Sequence, residues 1–206
     1  GVEQQFFEEE LEAIVEAAHM MGRRVTAHAH GVTGVNAFLR AGGDSIEHGT
    51  YLDDESVRLF RRNDAVLVPT AMAGAWVADQ ADAGWMTSFQ AAKARMVGPQ
   101  MLDMVRRAHE GGVTIAFGTD SGVSAHGDNA QEFLIYVDAG MSPEEAIATA
   151  TTVGARHVQL EDEIGRIAPG FSADIVAVNG DPLDDIAELL DIDFVMARGT
   201  LVKHED

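Results

Sequence analysis

The sequence contains no cysteine. Disulfides, thiolate metal ligands and a cysteine nucleophile are excluded together. It also lacks an apolar run long enough to span a bilayer: the longest mostly apolar stretch, Ala65 to Ala78, is short and contains Pro69. Basic residues are scarce. Fourteen Lys and Arg stand against 34 Asp and Glu, a formal net charge of −20, and such a surface repels phosphate backbones, which argues against a nucleic-acid partner. No signal-peptide pattern is visible in the sequence, and the cytoplasm is the expected compartment. The chain opens on Gly1 rather than Met, which places the expected start of translation elsewhere. Several catalytic signatures are missing too: no Gly-x-Ser-x-Gly, no His-Glu-x-x-His, no Walker phosphate loop and no Gly-x-Gly-x-x-Gly after a strand.

What is present reads as a folded α/β chain. Hydrophobic residues make up 46% and charged residues 23%, the balance of an ordinary globular protein rather than a disordered one. Amphipathic spacing predicts a helix over Glu8 to Met21, ended by Gly22, and a strand over Arg24 to Ala29. A helix over Gly34 to Ala41, a strand over Ser45 to Glu47 and a helix over Asp53 to Arg62 with Asp53 as N-cap follow. Ala65 to Val68 and Val113 to Phe117 read as buried strands, with helical spacing between them from about Ser88 to Glu110. Asn129 to Ala139 is helical, and Ser142-Pro143-Glu144-Glu145 opens another helix with a capping box.

Alternation of short apolar strands with helices predicts a parallel sheet covered on both faces. Four such strands are half of a (β/α)₈ barrel, and 206 residues fall short of the roughly 250 a whole barrel needs. From about Glu161 the texture changes to short antiparallel strands, at Ile164 to Ile167, Ala173 to Val178, Phe194 to Ala197 and Leu201 to Lys203, punctuated by Pro-Gly, Asn-Gly and Arg-Gly turns. The expected organisation is a partial barrel over 1–160 and a small β appendage over 161–206.

Three places combine reactive side chains with a predicted strand end, where barrel enzymes gather their functional groups. His28 and His30 are two apart, which on a strand puts both imidazoles on one face. His48 follows the second strand, and Asp120 lies just past the fourth, in Gly-Thr-Asp-Ser-Gly. Each has a plain alternative: polar residues at a strand-to-helix turn, a structural histidine, an Asx turn beside glycine. Together they form a set of imidazole and carboxylate donors suited to a divalent metal. A metal held there would lower the pKa of a water molecule and polarise a carbonyl, and Asp120 could take that water's proton and return it to a leaving amine.

The ordered motifs Val25-Thr-Ala-His-Ala-His-Gly31, Ser45-Ile-Glu-His-Gly49, Gly118-Thr-Asp-Ser-Gly122, Gly165-Arg-Ile-Ala-Pro-Gly170, Ala173-Asp-Ile-Val-Ala-Val178 and Gly180-Asp-Pro-Leu183 resemble the amidohydrolase superfamily. The resemblance is to the branch with imidazolonepropionase-like proteins, Xaa-Pro and related dipeptidases and ochratoxinase-like amidases, and it covers nearly the whole chain. It implies the C-terminal half of a TIM barrel with a binuclear metal centre, zinc being the expected ion. On that resemblance His28 and His48 match ligands on the fifth and sixth strands of the barrel, and Asp120 the ligand and proton shuttle on the eighth. His30 matches a pocket position that polarises the scissile carbonyl, His126 a loop position that touches substrate, and Tyr51 a further pocket candidate. The family's first His-x-His pair and its bridging lysine have no counterpart, since the only lysines are Lys93 and Lys203.

The expected activity is hydrolysis of an amide or peptide bond in a small substrate, dipeptidase-, prolidase- or amidase-like, through metal-activated hydroxide. A cyclic-amide hydrolase or deaminase of the same superfamily is the alternative. Two other classes stand beside it: an incomplete, inactive scaffold holding one metal or none, and a noncatalytic interaction module suggested only by the acidic surface. An open four-stranded sheet also leaves edges that favour association, so a homo-oligomer that completes the barrel is a further expectation.

Overall fold

The computed structural model describes residues 2–204. Helix α1 spans Glu8–Met20 and starts on three acids, with the Glu10 carboxylate accepting from the Phe7 N–H at 2.8 Å. Negative charge there complements the positive end of the helix dipole. Its apolar stripe buries Leu11 and Val15 against the next helix. Strand β1 is Thr26–Ala29, helix α2 Val32–Arg40, strand β2 Ser45–His48 and helix α3 Asp54–Asn63. Asp53 caps α3 by accepting from the Ser56 N–H at 2.8 Å, as its sequence position predicts. The Asp44 carboxylate ties three elements together: it accepts from the Val25 N–H at 2.8 Å and meets His19 Nε2 at 2.9 Å, just before β2 begins.

Strand β3, Val66–Val68, leads into helix α4, Ala71–Asp79. Helix α5, Ser88–Val97, and helix α6, Gln100–Glu110, precede strand β4, Thr114–Ile115. The helical spacing read over 88–110 is therefore two helices. Gly98 and Pro99 part them: a Cβ on Gly98 would lie 2.2 Å from Ala78 Cβ, so the chain needs glycine to pass α4, and Pro99 lacks the N–H that would continue α5. Helices α7, Gln131–Asp138, α8, Pro143–Ala150, and α9, Thr152–His157, complete the α/β part. Ser142 caps α8 with Glu145 reaching back to it, the expected capping box.

The four parallel strands lie in the order β1-β2-β3-β4, each beside its chain neighbour. An order that never reverses belongs to a barrel wall; a doubly wound sheet would change direction at a switch point. The two faces of the sheet differ. Ile46, Leu67 and Ile115 point to the helices and join Phe38, Leu39, Phe60 and Tyr136 in the main core. Val66, Val68 and Ala116 form a separate small cluster on the opposite face, which also carries Thr26, His28 and Glu47.

The C-terminal segment forms a three-stranded antiparallel sheet, β5 (Ile175–Ala177), β6 (Phe194–Ala197) and β7 (Thr200–His204). A 3₁₀ turn at Ile186–Leu190 packs on α7 and buries Ile186. The strand expected over Ile164 to Ile167 is not formed. Glu163 and Ile164 instead donate backbone hydrogen bonds to Leu160 O at 2.9 and 3.0 Å. Gly165 adopts φ +90°, and a Cβ there would lie 2.7 Å from Thr151 O. The segment is a tight turn wedged against the start of α9, which its two β-branched isoleucines disguise as a strand. Among the described residues no helix is long and apolar enough to cross a membrane.

Candidate active site at the strand ends

The site lies where β1, β2, β3 and β4 end. Three non-glycine residues at these ends have left-handed backbones: His48 at φ 77°, Thr70 at φ 49° and Asp120 at φ 52°. Such conformations are costly for residues with a Cβ and persist only where the surroundings impose them. At His48 the consequence is direct. Glu47 faces His28 across the sheet, so strand alternation would send the next side chain to the helical face. The positive φ breaks that alternation and returns the His48 ring to the His28 side. All three left-handed residues line one cavity of about 390 Å³ together with His30 and Thr50.

His28 Nδ1 and His48 Nε2 approach to 3.0 Å. The proton positions on His48 follow from its neighbour. Thr70 Oγ1 donates its only proton to Pro69 O at 2.7 Å, so it accepts from His48 Nδ1, also at 2.7 Å. His48 is therefore protonated on Nδ1, and its Nε2 lone pair points at His28. The His30 ring stacks on His48 with centroids 4.4 Å apart and planes 4° from parallel, and its Nδ1 meets Thr50 Oγ1 at 2.9 Å. Burial, then the neighbouring charge of His48, then that of Lys93, hold the His30 pKa down at about 4. Although the residue as a whole keeps a solvent-facing side, its ring is stacked and crowded, and it is neutral at pH 7. Burial likewise lowers His48, with His28 adding to the effect and Asp120 opposing it. Glu47, donated to by Thr26 Oγ1 at 3.1 Å, is raised mainly by burial, with a smaller push from Asp120.

Asp120 sits in a loop that is stitched rather than loose. Asn129 Nδ2 donates to Thr119 Oγ1 and to Ser121 Oγ, each at 2.9 Å, so the residues on both sides of Asp120 are held by one amide. Below the site Glu132 is wholly buried, and its carboxylate accepts from the Ala71 N–H at 2.9 Å and the Met72 N–H at 2.6 Å. It thus caps α4 directly behind Thr70. Burial outweighs those hydrogen bonds and raises its pKa to about 7. The Tyr136 hydroxyl is buried beside it, and burial with the adjoining carboxylate raises Tyr136 well above the ordinary range.

The six candidate residues divide. His28 and His48 meet, His30 stacks on His48, and Asp120 shares the cavity with His30 and His48. His126 is exposed in the loop and Tyr51 is half-buried, and neither belongs to the cavity wall; Tyr51 contributes its backbone N–H to His30 O at 3.0 Å. A divalent metal fits the chemistry of the two converging imidazole nitrogens, because the Thr70 contact leaves His48 Nε2 unprotonated. Among the described residues, no group of three or more His, Asp or Glu is disposed to hold an ion. The pair is a partial donor set. Thr50, Thr70, Asn129 and Glu132 were not singled out by sequence, although Thr50 stands two residues beyond His48 and Thr70 directly after a strand-ending proline.

Comparison with known proteins gives a consistent result. A family model described as the amidohydrolase family matches residues 3–202. The chain is 35% identical over 185 residues to ochratoxinase of Aspergillus niger, an alignment covering 88% of this chain and 38% of that protein. It is 30% identical over 177 residues to imidazolonepropionase of Streptomyces griseus subsp. griseus, covering 83% and 40%. Among solved structures, a Xaa-Pro dipeptidase with methionine bound in its active site matches with a TM-score of 0.94 at 43% identity, over 98% of this chain and 50% of that one. A prolidase complexed with N-methylphosphonate-L-proline matches with a TM-score of 0.89 at 31% identity, over 98% and 50%. The chain spans about half the length of these solved relatives and about two-fifths of the curated ones.

Proposed function

Because the chain belongs to the amidohydrolase family, we propose that it carries part of a metal-dependent site hydrolysing the C–N bond of an amide or dipeptide in a small substrate. The observation that carries this reading is the 3.0 Å approach of His28 Nδ1 to His48 Nε2, with Thr70 fixing the His48 tautomer. His28 and His48 would hold a divalent ion, zinc by the nature of the donors, with Asp120 beside them. When bound, that ion supplies electrophilic polarisation of the carbonyl and of water.

The chain's own residues do the rest. Asp120, which lines the cavity with His30 and His48, accepts the proton released as water adds to the carbonyl and returns it to the leaving nitrogen. His30 is neutral at pH 7. In the tautomer where the Thr50 hydroxyl donates to Nδ1, its Nε2–H is free to donate to the carbonyl oxygen as that atom gains charge. Related proteins support a small, amino-acid-derived substrate: a Xaa-Pro dipeptidase holding methionine and a prolidase holding a phosphonate of L-proline.

The test is a hydrolysis assay on a panel of N-acyl amino acids and dipeptides, with zinc supplied, on the chain and on any longer polypeptide that contains it. Turnover that falls at least a hundredfold in Asp120→Asn supports the reading. Turnover indifferent to Asp120 refutes it. The partial donor set favours a second reading for the chain alone, an inactive scaffold; turnover by the chain without added protein would end that one.

A further inference from the structure

The cavity has a wall that the chemistry above does not use. Its floor is the His30, His48 and Asp120 cluster; its side is built by α4, α5, the segment between them and the start of α6. That side is apolar: Val77, Trp85, Met86, Val97 and Met101 face the space, and Trp85 leans on Trp76 with ring centroids 6.3 Å apart. Gly74 keeps the wall thin, because a Cβ there would lie 2.3 Å from Met101 Sδ. Two polar groups of α5 interrupt the apolar surface, the Gln90 amide and the Lys93 ammonium. Lys93 on α5 lines the cavity, makes no salt bridge among the described residues, and is one of only two lysines in a chain of net charge −20. Lys93 is exposed where it lines the apolar pouch, so its ammonium is open to the charge of a ligand.

We propose that Lys93 anchors a free carboxylate, so that the site takes N-acyl amino acids and dipeptides whose carboxyl-terminal residue carries an apolar side chain. The inference deepens the hydrolase reading and, as a statement about substrate, rests on it. The geometry of the pouch sets the roles. A carboxylate at the rim meets Lys93, the apolar side chain takes the Val77, Met86 and Trp85 surface, and the scissile carbonyl reaches the floor. Asp120 on the floor repels a carboxylate, which keeps the acid end at the rim. A volume of about 390 Å³ lies at the small end of ligand cavities, matching one amino-acid residue with its acyl group rather than a folded peptide. A neutral cyclic amide offers the ammonium a carbonyl oxygen but no charge to pair with it.

The test separates binding from turnover. Because Trp85 lines the cavity, its fluorescence reports occupancy. The metal-depleted chain is titrated with N-acetyl-L-leucine and, separately, with N-acetyl-L-leucinamide, which differ only in the carboxylate. The acid is expected to bind about three- to tenfold tighter, the range of a partly solvated ion pair. Lys93→Gln removes that preference while the amide binds as before, and Lys93→Arg keeps it. Equal binding of acid and amide by the native chain, or a preference that survives in Lys93→Gln, overturns the assignment. A carboxylate preference abolished by Lys93→Gln in a protein without hydrolytic activity upholds the carboxylate site and removes the hydrolase reading alone. Hydrolysis of the panel with kcat/KM unchanged in Lys93→Gln does the reverse.

Discussion

Replacing Glu132 with glutamine tests how the buried carboxylate behind the site is balanced. Two effects act in opposite directions. Glutamine keeps one carbonyl oxygen but puts an NH₂ where the other oxygen accepts an N–H of Ala71 or Met72. One buried donor is then left unsatisfied, at about 1–3 kcal/mol, whatever the pH. Against this, burial raises the Glu132 pKa from its ordinary 4.5 to about 7. A raised folded pKa means that the group's contribution to stability is full below pH 4.5 and is lost as pH rises through 7. The shift corresponds to about 3 kcal/mol, given roughly 1.4 kcal/mol per pKa unit. Glutamine does not ionise and escapes that loss. Urea unfolding of both proteins at intervals from pH 4.5 to 8 is the assay. The variant should be less stable at pH 4.5, and the gap should close or reverse by pH 8. Groups such as His30 and His48 titrate in both proteins and cancel in the difference. Parallel stability profiles for the two proteins would refute the assignment of a buried, proton-binding Glu132.

Thr70→Val removes the hydroxyl that receives the His48 Nδ1 proton while keeping the branched shape. Zinc affinity, followed by competition with a chromophoric chelator, should fall about ten- to a hundredfold, the usual effect of losing an orienting partner of a ligating histidine. An unchanged affinity would mean that the tautomer argument is wrong. Gly165→Ala should destabilise the chain by about 1–3 kcal/mol, since it combines a positive φ with a 2.7 Å contact to Thr151 O; a thermal melt within a degree of the native one would contradict that turn geometry.

Much of this architecture was legible because it is local. The 3.6-residue stripe of α1, the Asp53 cap on α3 and the Ser142 box on α8 are each written within a few residues, and each formed as read. The strand-end histidines and Asp120 were legible for a related reason: strand, reactive side chain and glycine stand side by side. What failed was non-local. Helix α4 carries apolar residues around its whole circumference and has no period to read, and its N-terminus is capped from Glu132, 61 residues downstream of Ala71. The Thr70 anchor lies 22 residues from His48, and no local pattern links them. Ile164 to Ile167 shows the opposite error, in which two β-branched isoleucines mimicked a strand and the deciding close approach, of Gly165 to Thr151, lay outside the window. The cavity wall with Trp85 and Lys93 is formed by elements that meet only in three dimensions.

The account turns on whether His28 and His48 share an ion. Zinc retained after exhaustive dialysis, counted by elemental mass spectrometry in the native chain and in His28→Ala, His48→Ala and Asp120→Ala, measures that directly. Zinc bound by the native chain, lost in both histidine variants and reduced in Asp120→Ala, with circular dichroism unchanged, is the predicted result. A native chain that holds no zinc, or histidine variants that hold as much as it does, would contradict the account.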